Sequence, residues 1–201
     1  MSCLQIFTKT PAPGRVKTRM QPSLTLQECV QLHEWLLLQT LQTTSLGQQD
    51  KIQLWCYPTT QHRFFTEMQQ RFQLELHTQQ GHDLGERMLN ALNVGLRNHS
   101  AAILIGSDCP FFSVDYLNEA LSMLESGLDI VIGPAKDGGF VLLATNKPMP
   151  KDLFQGISWG EKTVLKETFK RVKENKMRYE TLQPLQDIDC PEDLKYINYI
   201  V

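Results

Sequence analysis

The run Ile103-Leu104-Ile105-Gly106-Ser107-Asp108-Cys109-Pro110 limits the fold more than any other stretch of the chain. Its apolar, β-branched start reads as a strand buried on both faces of a parallel sheet. It then stops abruptly in a small residue, a hydroxyl, a carboxylate and a proline. Gly106 lets the backbone pass close to a ligand, and Pro110 cannot continue a ladder. Asp108 is therefore expected at the carboxyl end of a central strand, where open α/β sheets bind their ligands. Asp is also common in turns, so capping of the turn or of a helix beginning near Val114 stays open.

Elements alternate around that strand. Cys3 to Thr8, Lys51 to Tyr57, Phe72 to His77, Asp129 to Gly133, Phe140 to Thr145 and Arg178 to Leu182 read as further strands. Between them, Thr25-Leu26-Gln27-Glu28 reads as a capping box opening a helix with Leu26, Cys29, Val30, His33, Leu37 and Leu41 on one stripe. His33 there is read as a packed histidine without a role. A short polar helix covers about Gln61 to Arg71. Asp83 is an N-cap for a helix that buries Leu84, Met88, Leu92 and Leu96, and Ser113 one for a helix with Val114, Leu117, Leu121 and Leu124. Further helices carry Val164, Leu165, Thr168, Phe169 and Val172, and begin at Pro191. Strands alternating with helices predict a three-layer α/β/α sandwich with a mostly parallel sheet, one domain over residues 1–201.

Charge is unevenly spread. The net charge is only −2, yet Lys9, Arg15, Lys17 and Arg19 precede the first acid, Glu28. Gly14 and Thr18 lie among these cations, a combination that suits phosphate. The loop lacks the glycines of a Walker P-loop and of GxGxxG; a solvated basic loop is the plainer alternative. Asp108, Asp187 and Asp189 are separated carboxylates of the kind that share Mg²⁺ with substrate oxygens. For Asp189 a helix N-cap with Glu192 as partner is the competing role. Asp137-Gly138-Gly139-Phe140 is either a tight hairpin or a close backbone approach to substrate, with Asp137 accepting from a hydroxyl. Trp159 reads as core filler or as an acceptor-site wall. No Cys/His or Ser/His/Asp arrangement emerges. Five dispersed cysteines suit reduced thiols, and no signal peptide or membrane-length apolar run is read, so the expected address is cytoplasmic. Nothing in the charge balance points to nucleic acid or membrane.

Six ordered motifs carry a resemblance: Lys9-x-Pro11-x-Pro13-Gly14-Arg15-Val16-Lys17-Thr18-Arg19, Gln80-Gly81-x-Asp83-Leu84-Gly85-Glu86-Arg87-Met88, Gly106-Ser107-Asp108-Cys109-Pro110, Gly133-Pro134-Ala135-x-Asp137-Gly138-Gly139-Phe140, Trp159-Gly160 and Asp187-Ile188-Asp189-x-Pro191-Glu192-Asp193-Leu194. Together they resemble the bacterial glycosyltransferase-like family of the nucleotide-diphospho-sugar transferase (GT-A) superfamily, of the radical-SAM/selenodomain-associated or arsenosugar-biosynthesis type. The resemblance implies a nucleotide across the carboxyl ends of the first strands, its phosphates met by Lys9, Gly14, Arg15, Lys17, Thr18 and Arg19. Asp83, Arg87 and Ser107 join the nucleotide site. Mg²⁺ (or Mn²⁺) would sit at Asp108 with Asp187 or Asp189. Asp137 and Lys17 are the expected catalytic residues, and Gly138, Gly139 and Trp159 the expected substrate contacts. Metal-dependent GT-A enzymes typically carry Asp-x-Asp, whereas Pro110 stands at the second position here.

Three readings follow. The first is a Mg²⁺-dependent glycosyltransferase-like enzyme with a nucleotide-sugar donor and a small acceptor. The second is a nucleotidyltransferase joining an NTP to a phosphorylated small molecule. The third is a non-catalytic nucleotide-binding module. A homodimer is compatible with each.

Overall fold

The computed structural model describes residues 1–21, 23–47 and 49–199. Strands β1 (Ser2–Lys9), β2 (Lys51–Tyr57), β3 (Glu75–Thr78), β4 (Ala101–Gly106), β5 (Ile130–Pro134), β6 (Phe140–Thr145) and β7 (Tyr179–Thr181) form one sheet in the order β3-β2-β1-β4-β6-β5-β7. β1 pairs in parallel with β2 and β4, β2 with β3, and β5 with β7. β6 runs antiparallel between β4 and β5, since only a short turn joins it to β5. The expected sandwich with a mostly parallel sheet is the fold observed.

Helices α1 (Leu26–Thr44), α2 (Arg63–Phe72) and α4 (Val114–Glu125) cover one face, and α3 (Leu84–Leu96) and α5 (Val164–Glu174) the other. The apolar run of β4 divides by the period of two: Ile103 and Ile105 pack under α1 and α4, Ala102 and Leu104 under α3. No helix among the described residues is long and apolar enough to cross a membrane.

The capping box forms as read. Glu28 N–H donates to Thr25 Oγ1 at 3.3 Å, and Thr25 N–H to Glu28 Oε2 at 2.6 Å. Thr25→Ala is expected to lower stability by about 1 kcal/mol, measured as a shift in the urea midpoint at unchanged slope. Asp83 and Ser113 cap α3 and α4 as expected.

Other local expectations change. Leu26 leaves the α1 stripe and is exposed, while Leu32 and Leu36 join it, because α1 also packs on the loop before it. Gln73 closes α2 in a left-handed conformation (φ 52°), so the third strand begins at Glu75 and not at Phe72. The segment after Pro191 is a short 3₁₀ helix, Pro191–Tyr196. Its N-cap is Cys190, not Asp189. Asp193, three residues on, accepts from the N–H groups of Asp189 and Cys190, both at 2.9 Å, which displaces the expected Asp189–Glu192 pairing.

One consequence of the topology positions the site. From β1 the chain builds β2 and β3 to one side and later β4 to the other. The loops leaving the carboxyl ends of β1 and β4 therefore diverge and open a crevice between them, the ligand site of open α/β sheets.

Candidate functional site

The loop after β1 sorts its cations. Arg15 N–H donates to Ala12 O at 3.0 Å in a turn where Gly14 takes φ 75°, a conformation that favours glycine. Lys17 also adopts positive φ, at 48°, which sends its side chain inward before a 3₁₀ turn at Thr18–Met20. Its side chain is 2% exposed, whereas Lys9, Arg15, Thr18 and Arg19 face solvent. Met20 and Leu24 hold this arrangement by packing with Cys29, Leu32 and Leu36 of α1 and with Ile188.

Lys17 joins three distant segments. Its Nζ lies 2.8 Å from Asp108 Oδ1 and donates to Ile188 O at 2.5 Å. Ile188 N–H in turn donates to Asp108 O at 2.9 Å. The strap 187–189 arrives here because the chain beyond β7 keeps running along β5: Leu185 N–H donates to Pro134 O and Lys136 N–H to Leu185 O. Asp108 is divided in its surroundings. Oδ1 is sealed from water, and the Lys17 contact falls short of hydrogen-bond geometry, yet the side chain as a whole is 46% exposed. Its outer edge thus opens on the crevice. Burial pushes the Asp108 carboxyl up, but the charge of Lys17, joined by His33 in acid where that ring is protonated, outweighs it, and the carboxyl titrates below its ordinary range.

His33, read from sequence as packing, sits within this cluster. Nε2 lies 2.8 Å from Lys9 O and 3.2 Å from Thr8 Oγ1, and Nδ1 lies 3.8 Å from Asp108 Oδ1. The carbonyl partner assigns the proton to Nε2. Burial lowers its pKa, against the pull of Asp108, so the ring is neutral at pH 7. One polar residue on the apolar stripe of α1 was the single cue in the sequence.

Two hollows meet at Asp108 and share Phe7, Leu84 and Gly106. The first, about 240 Å³, also holds Lys9, Ser107 and Arg87. The second, about 330 Å³, holds Arg19, Asp137, Gly139, Trp159, Asp187 and Asp189. A Cβ added at Gly106 would meet nothing within 4 Å and would project into open space on their common floor. Leu84 is 38% exposed because it walls both, which corrects its expected place on the buried face of α3. A larger hollow, about 730 Å³, lies at the amino ends of the strands. Its walls include Asp50 and Glu125 but no Lys, Arg or His, so it does not suit a nucleotide.

Several expected site residues stand apart. Gly14, Arg15 and Thr18 line neither hollow. The Asp83 carboxylate accepts from Glu86 N–H at 2.8 Å as the α3 cap and faces a separate hollow with Lys151. Ser107, by contrast, lines the first hollow, but its hydroxyl is committed, donating to Thr8 Oγ1 at 3.2 Å. Gly138, at φ 100°, packs on α5: a Cβ there would overlap Lys162 O, and Gly138 O accepts from Leu165 N–H. Its glycine is thus required by packing outside the crevice.

The second hollow is acidic. Asp137 Oδ1 accepts from Gly139 N–H at 2.8 Å, and Arg19 Nη1 donates to Asp189 Oδ2 at 2.6 Å. Burial, with the charges of Asp137, Asp189 and Asp108, pushes the Asp187 carboxyl up to about 6. Among the described residues no three His, Cys, Asp or Glu side chains form a cage for an ion. The donor set, separated carboxylates on an open crevice, fits an ion completed by substrate oxygens, as Mg²⁺ prefers. The aromatic wall is Trp159, edge-on to Phe140 and Phe154 at centroid distances of 6.4 and 5.8 Å.

Residues 40–161 match the family described as an uncharacterized protein conserved in bacteria, DUF2064. The chain belongs to this family. No curated protein matches it. Among solved structures, the DUF2064 chain is similar to a candidate nucleotide-diphospho-sugar transferase from Desulfovibrio desulfuricans G20. Identity is 28% and the TM-score 0.86, over 97% of this chain and 86% of that one. It is similar in fold to a cytidylyltransferase from Leptospira borgpetersenii, with 11% identity and TM-score 0.64 over 98% and 88% of the two chains. The inositol-1-phosphate CTP transferase of T. maritima matches at 11% identity and TM-score 0.63 over 96% and 91%. The DUF2064 protein has the fold shared by nucleotide-diphospho-sugar transferases and nucleotidyltransferases.

Proposed function

We propose that this DUF2064 protein is a Mg²⁺-dependent, glycosyltransferase-like enzyme that moves a group from a nucleotide-sugar donor to a small acceptor. The observation that carries the reading is the convergence of Asp108 and Asp187 on one hollow at the switch point of the sheet. Carboxylates crowded enough to push Asp187 up to about 6 are the partners a metal–diphosphate would relieve. The likeness to the Desulfovibrio protein supports the class. The narrower kinship with radical-SAM- and arsenosugar-associated transferases rests on the ordered motifs.

Roles follow from placement. The nucleotide lies in the first hollow, with Lys9 there and Arg19 of the adjoining hollow meeting its phosphates. Asp108 and Asp187, or Asp189 once Arg19 has turned to phosphate, would hold Mg²⁺ or Mn²⁺. The ion would supply charge neutralisation at the leaving diphosphate. Lys17 stays on Asp108, fixing the outer carboxylate edge and the strap. Trp159 and Phe140 wall the acceptor, and Asp137, fixed by Gly139, orients its hydroxyl or takes its proton. One observation favours nucleotidyl transfer as a second reading: Pro110 leaves a single carboxylate at the end of β4. Free thiols suit a cytoplasmic setting.

Thermal-shift titration with NTPs and with UDP-, GDP- and ADP-sugars tests the proposal. A ligand at about 100 times its Kd adds about 2.7 kcal/mol, or roughly 5–10 °C for a chain of this size. The expected result is a shift of that order with one nucleotide-sugar, requiring Mg²⁺. A shift with NTPs alone would move the reading to nucleotidyl transfer. No shift with any nucleotide at millimolar concentration would overturn it.

A further inference from the structure

The first hollow contains a hydrogen-bond acceptor held in one orientation. Gln79 extends β3 past Thr78, its N–H donating to Cys56 O at 2.9 Å. Its side-chain Nε2 donates to Trp55 O at 2.9 Å and to Thr8 O at 3.2 Å. Both amide N–H groups are thereby used. The flipped amide would set Oε1 against two carbonyl oxygens, so the orientation is decided by the network. Oε1 itself accepts from nothing among the described residues and is not among the polar atoms sealed from solvent. Because Gln79 lines the first hollow, that oxygen opens into it.

The same hollow offers a flat surface. The Arg87 guanidinium lies over the Tyr57 ring, 3.7 Å from its centroid, and Nε donates to Gly81 O at 3.2 Å, which fixes its plane. A guanidinium with one face on an aromatic ring leaves the other for stacking on a nucleobase. Leu84 and Phe7 add apolar walls. A flat slot with one fixed acceptor distinguishes bases by what they donate.

We propose that Gln79 selects the nucleotide through an exocyclic amino group, Oε1 accepting an N–H of cytosine, adenine or guanine while the base stacks on Arg87. This rests on the reading that the first hollow holds the nucleotide. A keto oxygen in the same place faces Oε1 as acceptor against acceptor, with no hydrogen bond and both groups desolvated.

Calorimetric binding to the purified protein with Mg²⁺ tests it in pairs differing at one group: CTP against UTP, ATP against ITP, GTP against ITP. In the preferred pair the amino nucleotide is expected to bind at least about tenfold tighter. Gln79→Met, which keeps the length but has no acceptor oxygen, should reduce that ratio to near one. Should that variant not fold, the wild-type protein carries the test with N4,N4-dimethyl-CTP or N6,N6-dimethyl-ATP, which keep the ring but have no amino hydrogen and should bind as weakly as the keto partner. Members of every pair binding within about threefold of each other, or selectivity that survives Gln79→Met or dimethylation, would overturn the role of Gln79 and leave the nucleotide site standing. Binding of none of them, with no nucleotide-sugar shifting the melting temperature either, would remove both; nucleotide-sugar binding without preference for an amino base over uracil would overturn the role of Gln79 alone.

Discussion

Asp108→Ala is expected to lose Mg²⁺-dependent nucleotide binding and about 2 kcal/mol of stability together, a fall of roughly 5 °C in Tm. The two losses have separate origins. Lys17 is 2% exposed, and its ammonium has Asp108 and the Ile188 carbonyl as partners. Removing the carboxylate leaves a buried charge on one neutral acceptor. Breaking a fully buried pair costs about 3–5 kcal/mol, and the open side of Asp108 reduces that here. The double variant Lys17→Met, Asp108→Leu separates the effects. With both charges gone, most of the stability should return, while nucleotide binding should not. A double variant as unstable as Asp108→Ala would show that the pair is not the source of the loss. Unchanged nucleotide affinity in Asp108→Ala would refute the site.

Asp187→Asn is expected to stabilise the protein at neutral pH while abolishing its response to Mg²⁺ and nucleotide. In the folded state the Asp187 carboxyl is raised from 3.8 to about 6, by burial first and then by Asp137, Asp189 and Asp108. A raised carboxylate holds its proton in the folded chain after the unfolded chain has released it. Its contribution is therefore full below about 3.8 and is lost as pH rises through about 6. Two units correspond to roughly 3 kcal/mol at most, and partial exposure lowers the expectation to about 1–2 kcal/mol. Asp108, shifted down, works at the acid end below its unfolded value of 3.8, outside this window. His33, lowered from 6.5, has the opposite sign inside it, supporting the fold above 6.5 and less as pH falls. The difference between wild type and Asp187→Asn cancels His33, which both chains carry. In EDTA that difference should be near zero at pH 4 and favour the variant at pH 7.5, read from denaturant midpoints. A difference constant with pH would mean that the carboxyl is not crowded.

Much of this is legible in the sequence. The β-branched run ending at Asp108 identified a central strand and where it stops, because a doubly buried strand and a break in it are local properties. The same holds for Thr25 with Glu28, and for Asp83 and Ser113 as caps. What could not be read depends on distant partners. Lys17 looked like one of four cations free to meet phosphate, and only the left-handed turn at that residue, packed on Ile188, buries it. His33 looked like core because its neighbours on α1 are core. Its polar partners come from β1 and from the loop after β4. Gly138 suggested room for a substrate, but the space is filled by the Lys162 backbone. Cys190 displaced Asp189 as a cap since Asp193 reaches back to it, a competition between two acids four residues apart that spacing alone does not decide.

The strap also dictates an order of assembly. Lys17 and Ile188 are 171 positions apart, yet one hydrogen bond joins them. A growing chain could complete β1 to β6 and both halves of the hydrophobic core with Lys17 and Asp108 already facing each other. The crevice would still have no Asp187 on its far wall. The second hollow is thus completed well after the first. The first hollow, lined by residues between Phe7 and Asp108, is spelled out early, and the acidic wall facing it is added only when the strap docks.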